Sequence, residues 1–133
     1  MNIKAVIIAA CLAVATPAAA ESPGEAITPN FKHAIPNIPG KSLVTLVVDY
    51  APGSASRSHT HAKSAFIYAY VVSGAIESQV NDGPKRIYRG GESWYETPGA
   101  HHAVSRNASA TEPAKLLAVF VDTDDKILTI PDK

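Results

Sequence analysis

Residues 66–88 read FIYAYVVSGAIESQVNDGPKRIY, and this stretch decides the fold class. Phe66 to Val72 is dense in β-branched and aromatic residues, the types that suit a pleated, half-buried surface. Gly74 breaks that run, and Ala75 to Val80 makes a second extended segment. Asn81-Asp82-Gly83 is a tight-hairpin signal, because these residues tolerate the positive φ such turns need, and Lys85 to Tyr88 is the return strand.

The same grammar continues on both sides. Upstream, Leu43 to Tyr50 reads as a strand ended by Ala51-Pro52-Gly53. Downstream, Gly90-Gly91 turns the chain into a short extended segment, Glu92 to Glu96, which Pro98-Gly99 ends. His102 to Arg106 is a further strand, followed by a polar loop from Asn107 to Pro113. Ala114 to Val121 is almost continuously apolar and is expected to be buried on both faces, and Ile127 to Ile130 adds a short edge strand. No helix-length period of 3.6 occurs beyond the first twenty residues. Short strands punctuated by Gly and Pro imply an all-β sandwich or closed barrel.

Composition agrees. The 133 residues suit one domain, 46% are hydrophobic and 18% charged, so a packed core is available, which argues against disorder. Twelve basic and twelve acidic residues give a formal charge of zero with no basic run, which argues against a nucleic-acid partner.

The N-terminus differs from the rest. Lys4 precedes an apolar run from Ala5 to Val14; Pro17 interrupts it, and Ala18-Ala19-Ala20 offers an A-x-A cleavage pattern before Glu21. This is the layout of a secretory signal peptide over residues 1–20, which implies a periplasmic or secreted protein. The run is too short to span a membrane, which takes about 20 apolar residues. Ile8-Ala9-Ala10-Cys11 loosely resembles a lipoprotein cleavage box, but the interval from Lys4 to Cys11 is short for that route, so cleavage after Ala20 is preferred. Residues 21–40, with Pro23, Pro29, Pro36 and Pro39, read as a mostly extended arm leading into a domain at 41–131.

The chain has five histidines, four of them in two tight groups, His59-Thr60-His61 and His101-His102, with His33 alone in the arm and expected to be exposed. Residues i and i+2 of a strand share a face, so His59 and His61 can aim two imidazoles at one point. Neutral imidazole suits iron, copper, nickel and zinc. On its own an H-x-H pair is more often merely exposed; the second group, about 40 residues on and also at a strand start, makes a metal site a real alternative.

These residues resemble the cupin superfamily, in particular its small quercetin-dioxygenase-like single-domain members. Gly53, five residues, His59-Thr60-His61, and then Tyr70 to Gly74 is similar to the first cupin motif. Gly91, five residues, Thr97-Pro98-Gly99, His102 and Asn107 is similar to the second, and the resemblance covers roughly Lys41 to Val121. It implies a double-stranded β-helix, that is, a jelly-roll barrel, with one divalent metal held inside by His59, His61 and His102. By resemblance Fe(II) is favoured, with Mn, Ni, Cu or Zn as alternatives, and a homodimer is expected.

Three departures stand out. The glutamate ligand of the first motif falls at Ile67, which cannot bind metal; the proline of the second motif is Thr97, with Pro98 displaced by one; and Asn107 lies one place late. Three neutral imidazoles leave a divalent ion's charge uncompensated, so the site should favour anionic oxygen ligands and keep positions open. Glu96 would compensate that charge if it faced inward, although it and Glu92 read first as solvated edge residues.

Trp94, Tyr68, Ile67, Glu96 and His101 are the candidates for a substrate pocket. Trp94 is the best placed, most of the other aromatics reading as core; His101, adjacent to His102, should point off its face. Arg57 precedes the H-x-H and is a candidate receiver for an anion, though an exposed loop charge is the plainer reading. No separate acid or base is identifiable, so catalytic residues stay unassigned. Two functions remain open: a metal-dependent, dioxygenase-like enzyme acting on a small molecule, and a non-catalytic exported module binding a small ligand, with or without metal.

Overall fold

The computed structural model describes residues 22–123 and 128–133. The expected signal peptide at 1–20, Cys11 within it, and the start of the expected edge strand at Ile127 lie outside the described residues.

Ten strands form, β1 Glu25–Ala34, β2 Ser42–Tyr50, β3 His59–His61, β4 Phe66–Ser73, β5 Ala75–Val80, β6 Arg86–Arg89, β7 Ser93–Glu96, β8 His101–Asn107, β9 Ala114–Asp122 and β10 Thr129–Pro131, with no helix among the described residues. They build two antiparallel five-stranded sheets, one ordered β1-β2-β9-β4-β7 and the other β10-β3-β8-β5-β6. After β2 the chain alternates between the sheets except at the β5–β6 hairpin, which stays in the second sheet, and so winds as a jelly-roll barrel, a double-stranded β-helix.

Two turns show why the punctuating residues are needed. Asn81 takes φ +51° in the Asn81-Asp82-Gly83 turn that leads from β5 toward β6, the left-handed conformation asparagine tolerates best among side-chain-bearing residues. Gly74 takes φ +76°, and a Cβ there would sit 2.5 Å from the Pro113 carbonyl oxygen, so the crossing from β4 to β5 admits only glycine.

The core comprises two buried apolar clusters. One gathers Val48, Tyr50, Ala69, Val71, Ile76, Trp94, Ala114 and Leu116; the other gathers Ala65, Ile67, Ala118 and Phe120. Alternation along β4 decides what faces in. Ile67, Ala69 and Val71 point to the interior, while Phe66 and Tyr68 point out. This corrects the expectation that most strand aromatics form the core. On β4 the aliphatic parity faces the internal hollow and the rings of Phe66 and Tyr68 take the outer face, whereas on β9 the ring of Phe120 is inward. There Phe66 stacks on Tyr95 at 5.9 Å.

Two other expectations change. Residues 21–40 are more than a lead-in: Glu25–Ala34 hydrogen-bonds along the whole of β2 as an edge strand. An edge tolerates Pro29, whose missing N–H costs no ladder bond on the open side, and the bulge between Pro29 and Phe31 lies just there. β9 is central but not buried on both faces. Ala114, Leu116, Ala118 and Phe120 are buried, whereas Leu117, Val119 and Val121 are half-buried, because only neighbouring side chains of the same sheet shield the outer face.

Candidate metal centre

Strand pairing places the histidines. In the β3–β8 ladder His59 lies opposite His102 and Thr60 opposite His101. Directly paired residues share a face, so His59, its i+2 neighbour His61, and His102 all point into the barrel while His101 points out. Ring centroids are 4.8 Å apart for His59 and His61, 5.3 Å for His59 and His102, and 6.1 Å for His61 and His102. One nitrogen from each ring lies within 4.8 Å of the others. His61 and His102 are buried, and His59 is partly so, toward the mouth.

Each ring is oriented by its second nitrogen. His59 Nδ1 donates to the Arg57 carbonyl oxygen at 2.7 Å, and His61 Nδ1 donates to the Leu128 carbonyl oxygen at 3.1 Å. A carbonyl can only accept, so Nδ1 carries the proton in both, and in the neutral rings Nε2 presents a lone pair. His102 Nε2 pairs with the Ser78 hydroxyl at 2.8 Å, which leaves its Nδ1 toward the centre. Burial lowers the His59 pKa and brings His102 down to about 4 despite the attraction of Glu96. Oriented, neutral imidazoles are the form that binds a divalent metal.

Glu96 is the residue most misjudged by sequence alone. It is not a solvated edge side chain; it is 2% exposed, on the inward parity of β7 with Trp94, while Ser93 and Tyr95 face out. That parity was the available signal: an inward Trp94 puts residue 96 inward as well. Glu96 Oε2 lies 2.9 Å from His61 Nε2, and Oε1 lies 3.3 Å from His102 Nδ1. The Trp94 indole N–H donates to Oε1 at 3.1 Å. Burial opposes the carboxylate charge, but the adjacent His61 and His102 rings outweigh it and hold the pKa below the usual range. His61 Nε2 and Glu96 Oε2 have no aligned hydrogen-bond partner, although both are buried and close together. Two lone pairs left facing each other in this way fit a cation between them. The three imidazoles meeting on one point suit a divalent transition metal.

The remaining candidates separate. Trp94 and Ile67 line the pocket that contains the histidines. Tyr68 does not: it is on the outer face, 42% exposed, one residue out of phase with Ile67. His101 does not either, since it turns away from the pocket to Ser58 Oγ at 3.0 Å and Asp132 Oδ2 at 2.8 Å, clasping the C-terminal segment. Arg57 is exposed at the pocket rim.

The pocket encloses a cavity of about 90 Å³ and opens to solvent at its mouth. One wall is apolar, made by Leu46, Val48, Ala69, Leu116, Ala118 and Phe120; the opposite wall carries the imidazoles. A polar chain missed at the sequence level borders it. The Tyr50 hydroxyl contacts Ser105 Oγ at 2.9 Å and Ser56 Oγ at 2.6 Å, and Ser56 in turn donates to Glu25. Burial pushes the Tyr50 phenol up to about 12. No local motif marks these four residues, which lie on β1, β2, β8 and the loop before β3.

Known proteins point the same way. The family model described as Cupin domain matches residues 46–120. The cupin-domain-containing oxidoreductase fogC of Aspergillus ruber is 28% identical over 82 residues, covering 62% of this chain but only 39% of that protein, so the chain spans well under half of that relative's length. A conserved Klebsiella pneumoniae protein described as having a double-stranded beta-helix domain superposes with a TM-score of 0.65 at 19% identity, over 89% of this chain and 90% of that one. TT1209 from Thermus thermophilus superposes with a TM-score of 0.61 at 25% identity, over 78% of this chain and 90% of that one.

Proposed function

Because the chain belongs to the cupin domain family, we propose that it is a divalent-metal cupin acting as an oxidoreductase on a small molecule, of the dioxygenase-like kind, with Fe(II) as the favoured ion. The observation that carries this reading is the meeting of His59, His61 and His102, from two strands, within 4.8 Å in a mainly apolar pocket. The fogC relative described as an oxidoreductase supports the reaction class. Bound there, the metal supplies Lewis acidity and open positions for substrate oxygen and dioxygen.

The protein's own residues do the rest. Arg57, Leu128 and Ser78 fix the three rings through their second nitrogens. The apolar wall takes the carbon skeleton of a flat substrate and keeps bulk water from the metal-facing side. Arg57 at the rim attracts an anionic substrate. The assay is dioxygen consumption by the iron-loaded protein across a panel of catechols and diketones. Turnover that is lost in His102→Ala supports the reading, and binding of the panel without turnover rejects it.

The second reading is a small-ligand-binding module without turnover. One observation favours it: in the pocket, burial holds His102 neutral down to about pH 4 and the Tyr50 phenol neutral to about pH 12, so neither is poised as an acid or base near neutrality.

Export to the periplasm or beyond is part of the proposal and rests on the Lys4 to Ala20 pattern. A mature mass that begins at Glu21 tests it. A homodimer is proposed through the outer face of the first sheet. Phe66, Tyr68 and Tyr95 are 42%, 42% and 64% exposed there. Phe66 stacks on Tyr95, and Tyr68 is the direct partner of Tyr95 across the β4–β7 ladder, so the three exposed rings lie side by side. Sedimentation at rising concentration is the test, with Tyr95→Ser expected to shift the equilibrium to monomer.

A further inference from the structure

The first cupin-like motif carries Ile67 where its carboxylate ligand would stand, yet the centre is not without a carboxylate. In the β4–β7 ladder the direct partner of Ile67 is Glu96. The two residues are cross-strand neighbours on the same inward face, with Cβ atoms about 5 Å apart in such pairs. A carboxylate on either one reaches the same part of the barrel interior. We propose that Glu96 is the fourth protein ligand of the metal, through Oε2, so that the carboxylate has moved sideways across a strand boundary while the centre is retained. The inference rests on the metal-binding reading above and specifies the ligand set of that site.

Three observations carry it. First, the spacing suits coordination. Oε2 is 2.9 Å from His61 Nε2, and Oε1 is 3.3 Å from His102 Nδ1. Around an ion with bonds of about 2.1 Å, neighbouring donors stand about 3.0 Å apart in an octahedron and about 3.4 Å apart in a tetrahedron. Second, the 2.9 Å contact is not an ordinary hydrogen bond. His61 spends its N–H on the Leu128 carbonyl, and neither Nε2 nor Oε2 has an aligned partner. Third, the carboxylate is pre-oriented. The Trp94 N–H occupies Oε1, which leaves Oε2 as the free oxygen toward the rings.

The consequence for chemistry is charge. Three imidazoles alone leave a site of formal charge plus two, while a bound carboxylate reduces it to plus one and raises the electron density on the metal. Leu116, Ala118 and Phe120 line the same pocket and would face a ligand bound to the metal.

The test uses Co(II) as the probe with the metal-free protein. Binding is read by calorimetry and by the Co(II) visible spectrum for wild type, Glu96→Gln, His102→Ala, and Glu96→Gln combined with Ile67→Glu. Gln keeps the acceptor for Trp94 but is a poor ligand. The expected result is at least a tenfold weaker Co(II) affinity and an altered spectrum in Glu96→Gln, with recovery of both when Ile67→Glu returns a carboxylate from the neighbouring strand.

Urea unfolding with and without Co(II) separates a ligand from a structural ion-pair partner. As a ligand, Glu96 acts through the metal, so Glu96→Gln loses most of the rise in urea midpoint that saturating Co(II) gives wild type. As a structural partner alone, its loss lowers the midpoint of the metal-free protein and leaves that rise intact, which overturns the inference. Wild type and Glu96→Gln binding Co(II) alike, with one spectrum and both dependent on His102, overturns the inference and leaves a three-histidine site. Wild type that binds no Co(II) overturns the metal-binding reading itself.

Discussion

Acidification of the metal-free protein probes the buried cluster most directly. His102 is 5% exposed and stays neutral down to about pH 4, against 6.5 for the same ring in the unfolded chain. A folded pKa below the unfolded one means the unfolded state takes up the proton first. The stability associated with the neutral ring is therefore complete above about pH 6.5 and is lost as pH falls toward 4. At about 1.4 kcal/mol per pH unit, the loss from His102 alone reaches about 2.5 kcal/mol by pH 4.5. His59 is shifted in the same direction by burial, and Glu96, held below its usual range, adds loss at still lower pH. Against a total of about 5–15 kcal/mol for a domain, this is a large fraction. Urea unfolding followed by the fluorescence of the single tryptophan, Trp94, measures it. The midpoint at pH 4.5 should lie lower than at pH 7 by roughly 1 M or more, given slopes of about 1–3 kcal/mol per M. In His102→Asn most of the difference should disappear. A midpoint that does not move between pH 7 and 4.5, or an Asn variant with an unchanged slope, would refute the picture of a buried neutral ring.

Three further outcomes follow from the same structure. The Tyr50 phenol is raised to about 12, so its stabilising neutral form is complete below pH 10 and lost between 10 and 12; ultraviolet titration should show one of the five tyrosines ionising last, and Tyr50→Phe should remove that step. Trp94 lies 6.1 Å from the His102 ring, so Cu(II) or Ni(II) should quench its fluorescence stoichiometrically, and His101→Ala, altered outside the pocket, should leave the titration curve unchanged within about twofold. Gly74→Ala meets both a positive φ and the Pro113 carbonyl; it should cost about 2 kcal/mol or more in chemical denaturation, whereas Gly40→Ala, with open space around it, should cost less.

Much of the fold is readable along the chain because strand and turn signals are local. The runs at 43–50, 66–72, 75–80 and 114–121 became β2, β4, β5 and β9 within a residue or two, and Asn81-Asp82-Gly83 became a turn with Asn81 at positive φ. The two-residue period likewise fixed that His59 and His61 share a face and that His101 and His102 do not. The arm is harder to read, since its prolines signal irregular chain, and only the place of β1 at the sheet edge, with one side unpaired, makes Pro29 harmless.

The period fixes a residue's face relative to its own strand, but not which face is inside or which strands are neighbours. Those depend on pairings between residues far apart in sequence and on how the two sheets close on each other. Tyr68 and Ile67 were equal candidates until packing put the smaller parity of β4 inward around the hollow. Glu96 reads along the chain as a solvated edge residue, and only the pairing of β7 with β4 sets its carboxylate across the barrel interior from β3 and β8. Sequence alone thus determined an all-β chain with two groups of histidines of matching phase. Their convergence with a buried carboxylate on one point was decided by the long-range strand order, because only a closed barrel turns side chains from opposing sheets toward a common centre.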